Sequence, residues 1–252
     1  MSFDRLIRFI DKNGVERYGN VESELSASEL NGKQVQLVSG NIESGFKVTD
    51  DKAEVAKFKP PKKPVIFATP PDRLTGPLDD ILIHPDAQEL LDYEGELSIV
   101  IGKDGYDISE EEALDYVLGY TNSNDVSARN LHALDVSGYQ MGYAKSFNHF
   151  GPTGPYLVSP RLVPEPQALQ LTTKVNGKVR QSTSTSEMIW SCRQLIAFAS
   201  RGRTLRRGTL IMTGTPEGVG WHSNGCLEDG DVVEVTIDGL GSISNKMVFQ
   251  KD

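Results

Sequence analysis

Asp92-Tyr93-Glu94-Gly95-Glu96-Leu97-Ser98-Ile99-Val100-Ile101-Gly102 is the stretch that decides the fold. Its Ile- and Val-rich run, closed by Gly102, predicts a β-strand. Residues two apart on a strand point the same way. Glu94 and Glu96 therefore share a face with Asp92, while Tyr93, Leu97, Ile99 and Ile101 take the other. Adjacent carboxylates repel, and a hard divalent cation such as magnesium, calcium or manganese is one reason to place them together. A solvated sheet edge is the plainer reading, and Glu-x-Glu taken alone favours it.

Around this strand, 252 residues suffice for one substantial core and a small additional domain. A formal net charge of -9 argues against nucleic acid or an anionic membrane as the main partner. No apolar run reaches the length of a membrane span. Met1-Ser2-Phe3-Asp4-Arg5 opens neither a secretory signal nor an acid-free transit sequence, so a cytoplasmic location is expected. Cys192 and Cys226 make no disulfide framework, and neither has a second soft ligand near it in sequence for zinc.

Taken in order, residues 1–50 read as a small N-terminal β domain. Leu6–Ile10 and Val15–Gly19 flank Asn13-Gly14, a hairpin signal, and Gln34–Val38 is a third strand. Residues 51–63 read as a charged, proline-bearing connector. The catalytic domain is expected over 64–252, with Val65–Ala68 as its first strand. Ser109 and Glu112 form a capping box ahead of a helical stripe of Leu114, Val117 and Leu118, ended by Gly119. Asn176-Gly177 marks a second hairpin. The polar run Gln181–Ser186 leads into a helix reaching about Ser200.

Downstream of the Glu-x-Glu strand come Asn124-Asp125-Val126-Ser127-Ala128-Arg129, then Ala144-Lys145-Ser146-Phe147, then Thr213-Gly214-Thr215-Pro216-Glu217-Gly218-Val219-Gly220. In this order, over roughly residues 64 to 248, the chain resembles the fumarylacetoacetate hydrolase family. The resemblance implies a mixed, mainly β fold: a rolled β-sheet domain with a few helices, behind a small N-terminal β domain. It also implies a metal site of Glu94, Glu96 and Asp125, taking Mg2+ or else Mn2+ or Ca2+. Lys145 would be the catalytic cation beside the metal, holding the substrate's carboxylate or enolate. Thr215 would meet the substrate carboxylate. His132 stands where relatives often carry a substrate-contacting Gln; it either alters specificity or is an ordinary loop histidine. Arg129 is expected to brace a loop, and a homodimer is the family's usual assembly.

The chain departs from the family ahead of Pro64. Relatives that hydrolyse carbon–carbon bonds carry Asn-Tyr-x-x-His with a Glu soon after, a lid pair that activates water. No such stretch is present, and the first histidine is His84. The leading expectation is a divalent-metal-dependent enzyme acting on a small 2-oxo or 1,3-dicarbonyl acid, cleaving a carbon–carbon bond hydrolytically through an enolate. The missing lid raises a second possibility, decarboxylation or keto–enol isomerisation at the same site. A catalytically silent metal-binding homologue is the third.

Overall fold

The computed structural model describes residues 6–21, 30, 32–41, 45–58, 62–132, 134–221 and 225–251. The opening pentapeptide and residues 59–61 of the expected connector lie outside them. The chain divides into two compact units, Met1–Lys63 and Pro64–Asp252.

In the first unit, β1 (Leu6–Asp11), β2 (Glu16–Asn20), β3 (Gln34–Asn41) and β4 (Gly45–Phe58) form a closed barrel. Asn13-Gly14 turns β1 into β2, with Gly14 at φ 79°. Phe9, Val21, Leu30, Val35 and Val55 fill the barrel. β4 corrects the domain reading. Residues 51–58, expected as connector, continue this strand and pair with β1 and β3. Lys52 and Glu54 alternate with Ala53 and Val55, which suits a strand with one solvated face, and the surrounding charges masked that pattern.

In the second unit, β5 (Leu74–Thr75), β6 (Ile81–Ile83) and β7 (Leu91–Asp92) precede β8 (Gly95–Ile101). β9 (Gly105–Tyr106), β10 (Val117–Asn124), β11 (Ser127–Ala128) and β12 (Gly151–Val158) come next. Then come β13 (Gln170–Val175), β14 (Lys178–Ser184), β15 (Thr204–Leu205), β16 (Leu210–Met212), β17 (Val232–Ile237) and β18 (Gly241–Phe249). Among the described residues, one five-stranded sheet runs β16-β8-β10-β12-β5 and another β14-β13-β17-β18-β6. Leu97, Ile99, Ile101 and Tyr120 of the first sheet meet Leu171 and Ile237 of the second in one core. Each fully buried aliphatic side chain contributes roughly 1.5–3 kcal/mol. The architecture is mainly β with few helices, as expected. No helix of the described residues is long and apolar enough to cross a membrane.

The two sheets approach each other closely at Gly95. A Cβ there would stand 2.1 Å from Thr173 Oγ1, so the bare backbone is what lets the second sheet approach. Asn176 and Gly177, at φ 50° and 77°, turn β13 into β14 as Asn-Gly requires.

Three element readings change. Half of the expected capping box forms at Ser109 and Glu112: Glu112 N donates to Ser109 Oγ at 3.2 Å, but the Glu112 carboxylate takes the Ser109 hydroxyl at 3.0 Å. Only a single 3-10 turn follows, Ala113–Tyr116, with Glu112 at its N-cap, and the chain then enters strand β10 rather than a helix. The second helix starts only at Cys192, where Ser191 and Gln194 make the capping box. Val65–Ala68 joins no strand ladder, and Val65 is 71% exposed.

Candidate metal centre

β8 lies between β16 and β10, so Glu96 on it is not on a solvated sheet edge, and Glu94, just ahead of it, is buried as well. Antiparallel pairing sets Asn124 opposite Gly95. One residue on, Asp125 N donates to Glu94 O at 2.8 Å, and Glu94 N donates to Asn124 Oδ1 at 2.9 Å. The register of a sheet thus brings a carboxylate thirty-one residues downstream beside the first one. On the other edge, β16 delivers Thr213–Gly220: Gly214 N donates to Glu96 Oε2 at 2.7 Å and Thr215 Oγ1 to Gly95 O at 3.0 Å.

Glu94, Glu96 and Asp125 are all buried, and each offers an oxygen within 4.8 Å of the others. Lys145 comes directly after the short helix Met141–Ala144 and is 3% exposed. Its Nζ donates to Glu94 Oε2 at 2.6 Å and to Asp125 Oδ2 at 2.7 Å. The Phe67 ring lies 5.7 Å from that ammonium. Arg129 reaches Asp92 Oδ2 at 2.8 Å through Nε and Glu94 Oε1 at 2.5 Å through Nη2.

Asp92 does not join the trio, although strand alternation put it on the same face. The strand breaks at Tyr93-Glu94, between β7 and β8. The Asp92 oxygens take the N–H groups of Tyr93 (2.9 Å), Gly220 (2.7 Å) and Trp221 (3.2 Å) as well as Arg129. Four donors occupy its lone pairs, and two of them, Gly220 and Trp221, tie down the end of the glycine-rich loop.

The electrostatics arise from crowding. Burial, then the charges of Asp125 and Glu94, raise the Glu96 carboxyl well above the ordinary range, against the pull of Lys145 and the Gly214 N–H. Burial works against the Lys145 ammonium, yet Glu94, Asp125 and Glu96 outweigh it and raise its pKa. His132 is pushed down to about 4 by burial first and then by Arg129 and Lys145, so its imidazole is neutral at pH 7. Its Nε2 is buried without a hydrogen-bond partner. Thr215 Oγ1 also accepts from Gln181 Nε2 at 2.8 Å, which fixes its hydroxyl beside Gly95.

Sequence reading missed Arg73. It closes the 3-10 turn Pro71–Arg73, is buried, and donates through Nη2 to Asp125 Oδ1 and to Phe150 O (2.8 Å). Pro70-Pro71-Asp72-Arg73 has every mark of a solvated turn, and no local signal distinguishes this arginine from a surface one.

The donor chemistry fits a hard divalent ion. A carboxylate has about four lone-pair sites, so Glu94, Glu96 and Asp125 keep donors for an ion after these hydrogen bonds. All three are oxygen ligands, as Mg2+, Mn2+ and Ca2+ prefer.

A β scaffold that gathers this donor set around a buried lysine is that of an enzyme. Residues 35–248 match the family described as Fumarylacetoacetate (FAA) hydrolase C-terminal, and the chain belongs to that family. Oxaloacetate tautomerase YisK of Bacillus subtilis (strain 168) is 43% identical over 189 residues. That alignment covers 74% of this chain and 62% of the relative, less than two-thirds of its length. The 2-hydroxyhepta-2,4-diene-1,7-dioate isomerase from Mycobacterium marinum superposes with a TM-score of 0.69 at 32% identity, covering 98% of this chain and 99% of that one. Fumarylpyruvate hydrolase from Pseudomonas aeruginosa, solved in complex with Mn2+ and pyruvate, gives 0.69 at 32% identity, covering 77% and 82%.

Proposed function

We propose that this chain is a divalent-metal-dependent enzyme that interconverts the keto and enol forms of a small 2-oxo acid, with oxaloacetate as the model substrate. The observation that carries the reading is the convergence of Glu94, Glu96 and Asp125 beside the buried Lys145. Held by the three carboxylates, Mg2+ or Mn2+ would supply Lewis acidity toward the acid's carboxylate and keto oxygens. Lys145 is the cation that would steady the oxygen on which charge develops. The backbone of the Thr213–Gly220 loop would receive the carboxylate end, joined by Thr215 once its hydroxyl hydrogen turns from Gly95 O to the ligand. His132, neutral and with a ring nitrogen unspent, is the group that would carry the proton between carbon and oxygen.

Tautomerisation is preferred to hydrolysis because it requires no activated water, and the His/Glu lid stretch is absent from the sequence. A relative named as a tautomerase and a neighbour named as an isomerase support that order. Hydrolytic cleavage of an acylpyruvate is the second reading, favoured by the neighbour solved with Mn2+ and pyruvate.

Mn2+-loaded protein mixed with enol oxaloacetate should speed decay of the enol absorbance roughly 10²-fold over its Glu94→Gln variant. Pyruvate release from acetylpyruvate in a parallel assay reads out hydrolysis. Equal enol decay with Glu94→Gln and wild type would end the metal-assisted reading; pyruvate release without enol decay would exchange the two.

A further inference from the structure

We propose that Arg73 is a built-in counter-cation that shares Asp125 with the metal. The site would then hold its ion firmly only when an anionic oxo acid arrives with it. The inference rests on the proposed function, in which the trio binds a divalent ion.

Arg73 is 3% exposed. Its Nη2 is spent on Asp125 and on the Phe150 carbonyl, and its Nη1 lies 3.4 Å from Thr69 Oγ1. Its Nε is buried with no partner at all. A guanidinium buried with a donor unspent is costly, and it persists only where its charge is matched. The match is Asp125.

The arginine is also walled in. Leu74, the next residue, pairs with Gly151 at the start of β12. A Cβ on Gly151 would stand 3.1 Å from Arg73 Nε, so the glycine leaves the space in which the side chain lies. The charge therefore stays beside Asp125 whether or not an ion is bound.

The balance of charge sets the consequence. Asp92, Glu94, Glu96 and Asp125 face Lys145, Arg129 and Arg73. With all four acids ionised the cluster carries one net negative charge, and with the Glu96 proton in place it carries none; either way it holds little attraction for a doubly charged ion. Once loaded, it carries one net positive charge, which an incoming carboxylate offsets. Without Arg73 the empty cluster would pull harder on the ion, and the loaded one would have no surplus for the anion. Ion and acid ligand are thereby coupled: each binds better in the presence of the other.

The test is Mn2+ titration by calorimetry, with and without oxalate, on the wild type, Arg73→Met, Arg73→Gln and Arg73→Lys, each checked for folding by circular dichroism. Gln keeps a donor for the Phe150 carbonyl while removing the charge, so one neutral variant serves if the other fails to fold. In the wild type, oxalate should tighten Mn2+ binding about tenfold or more. The neutral variants should bind Mn2+ alone about tenfold more tightly than wild type, with the oxalate effect reduced. Arg73→Lys should retain wild-type behaviour. Folded neutral variants that bind Mn2+ no more tightly than wild type would overturn the proposal and leave Arg73 as a brace for Asp125. Absence of Mn2+ binding in every protein, oxalate included, would instead strike down the metal reading, and this inference with it.

Discussion

The barrel and the larger unit each bury aspartate, and they neutralise it in opposite ways. Asp11, at the end of β1, is 3% exposed. It accepts from Asn13 N and Val15 N at 2.9 Å each and from Arg17 Nε at 3.1 Å, all within six residues of itself. The Val15 N–H above all holds its carboxyl below the usual range. Asp125 takes its partners from position 73, before the first long strand of its unit, and position 145, after a short helix. An acid satisfied by its own turn serves the turn. An acid satisfied only by long-range cations, beside two more acids, is held for something else.

Removing a cation from the cluster should break the second arrangement hardest. Lys145→Met would remove the cation that Glu94 and Asp125 share, leaving each with one arginine, and should cost the metal-free protein about 3–5 kcal/mol in urea denaturation. Turnover should fall roughly 10²-fold or more. Added Mn2+ should restore part of the stability; if it restores none, the carboxylates are not a cation site.

Glu96 sharpens the contrast through pH. Its folded-state pKa is raised, so the native cluster keeps a proton that the unfolded chain has lost. That contribution to stability is present below the ordinary glutamate value and fades as pH rises through the raised one. An ion must displace the same proton, so Mn2+ affinity should rise with pH, by up to about tenfold per unit. Calorimetry in buffers of different ionisation enthalpy should detect the released proton, and Glu96→Gln should abolish both the release and firm binding.

The smallest effect belongs to the barrel. Asp11→Ala should loosen its own turn, seen as faster hydrogen exchange at Asn13 and Val15. Mn2+ affinity and turnover should not change. Should either move, local and long-range neutralisation would not separate structure from function in this chain.

Much of the candidate site was legible because its residues lie in short motifs: Glu94-x-Glu96, Asn124–Arg129, Lys145 and Thr213–Gly220 all meet around β8. What escaped was set by distant context. Leu114, Val117 and Leu118 have helical spacing, yet Val117–Asn124 is a strand hydrogen-bonded on both sides, by β8 and β12. Tertiary pairing overrode the local period. Val65–Ala68 looks like a strand from its apolar residues, but no neighbouring edge receives it. Asp92 kept the alternation in sequence and lost it in space, because a two-residue break re-aims it at Arg129. Arg73 could not be read at all, since only burial separates it from a surface arginine.

The missing side chain at position 95 also sets terms for anyone who would re-engineer this catalyst. A mutant library there would collect chiefly misfolded clones, because any substituent strikes the facing sheet between the two glutamates. Spacing of that carboxylate pair is accordingly inherited from the scaffold and closed to directed evolution. Diversity belongs instead at Phe67, which lies beside Lys145 on a segment outside both large sheets and can be varied without reopening the core.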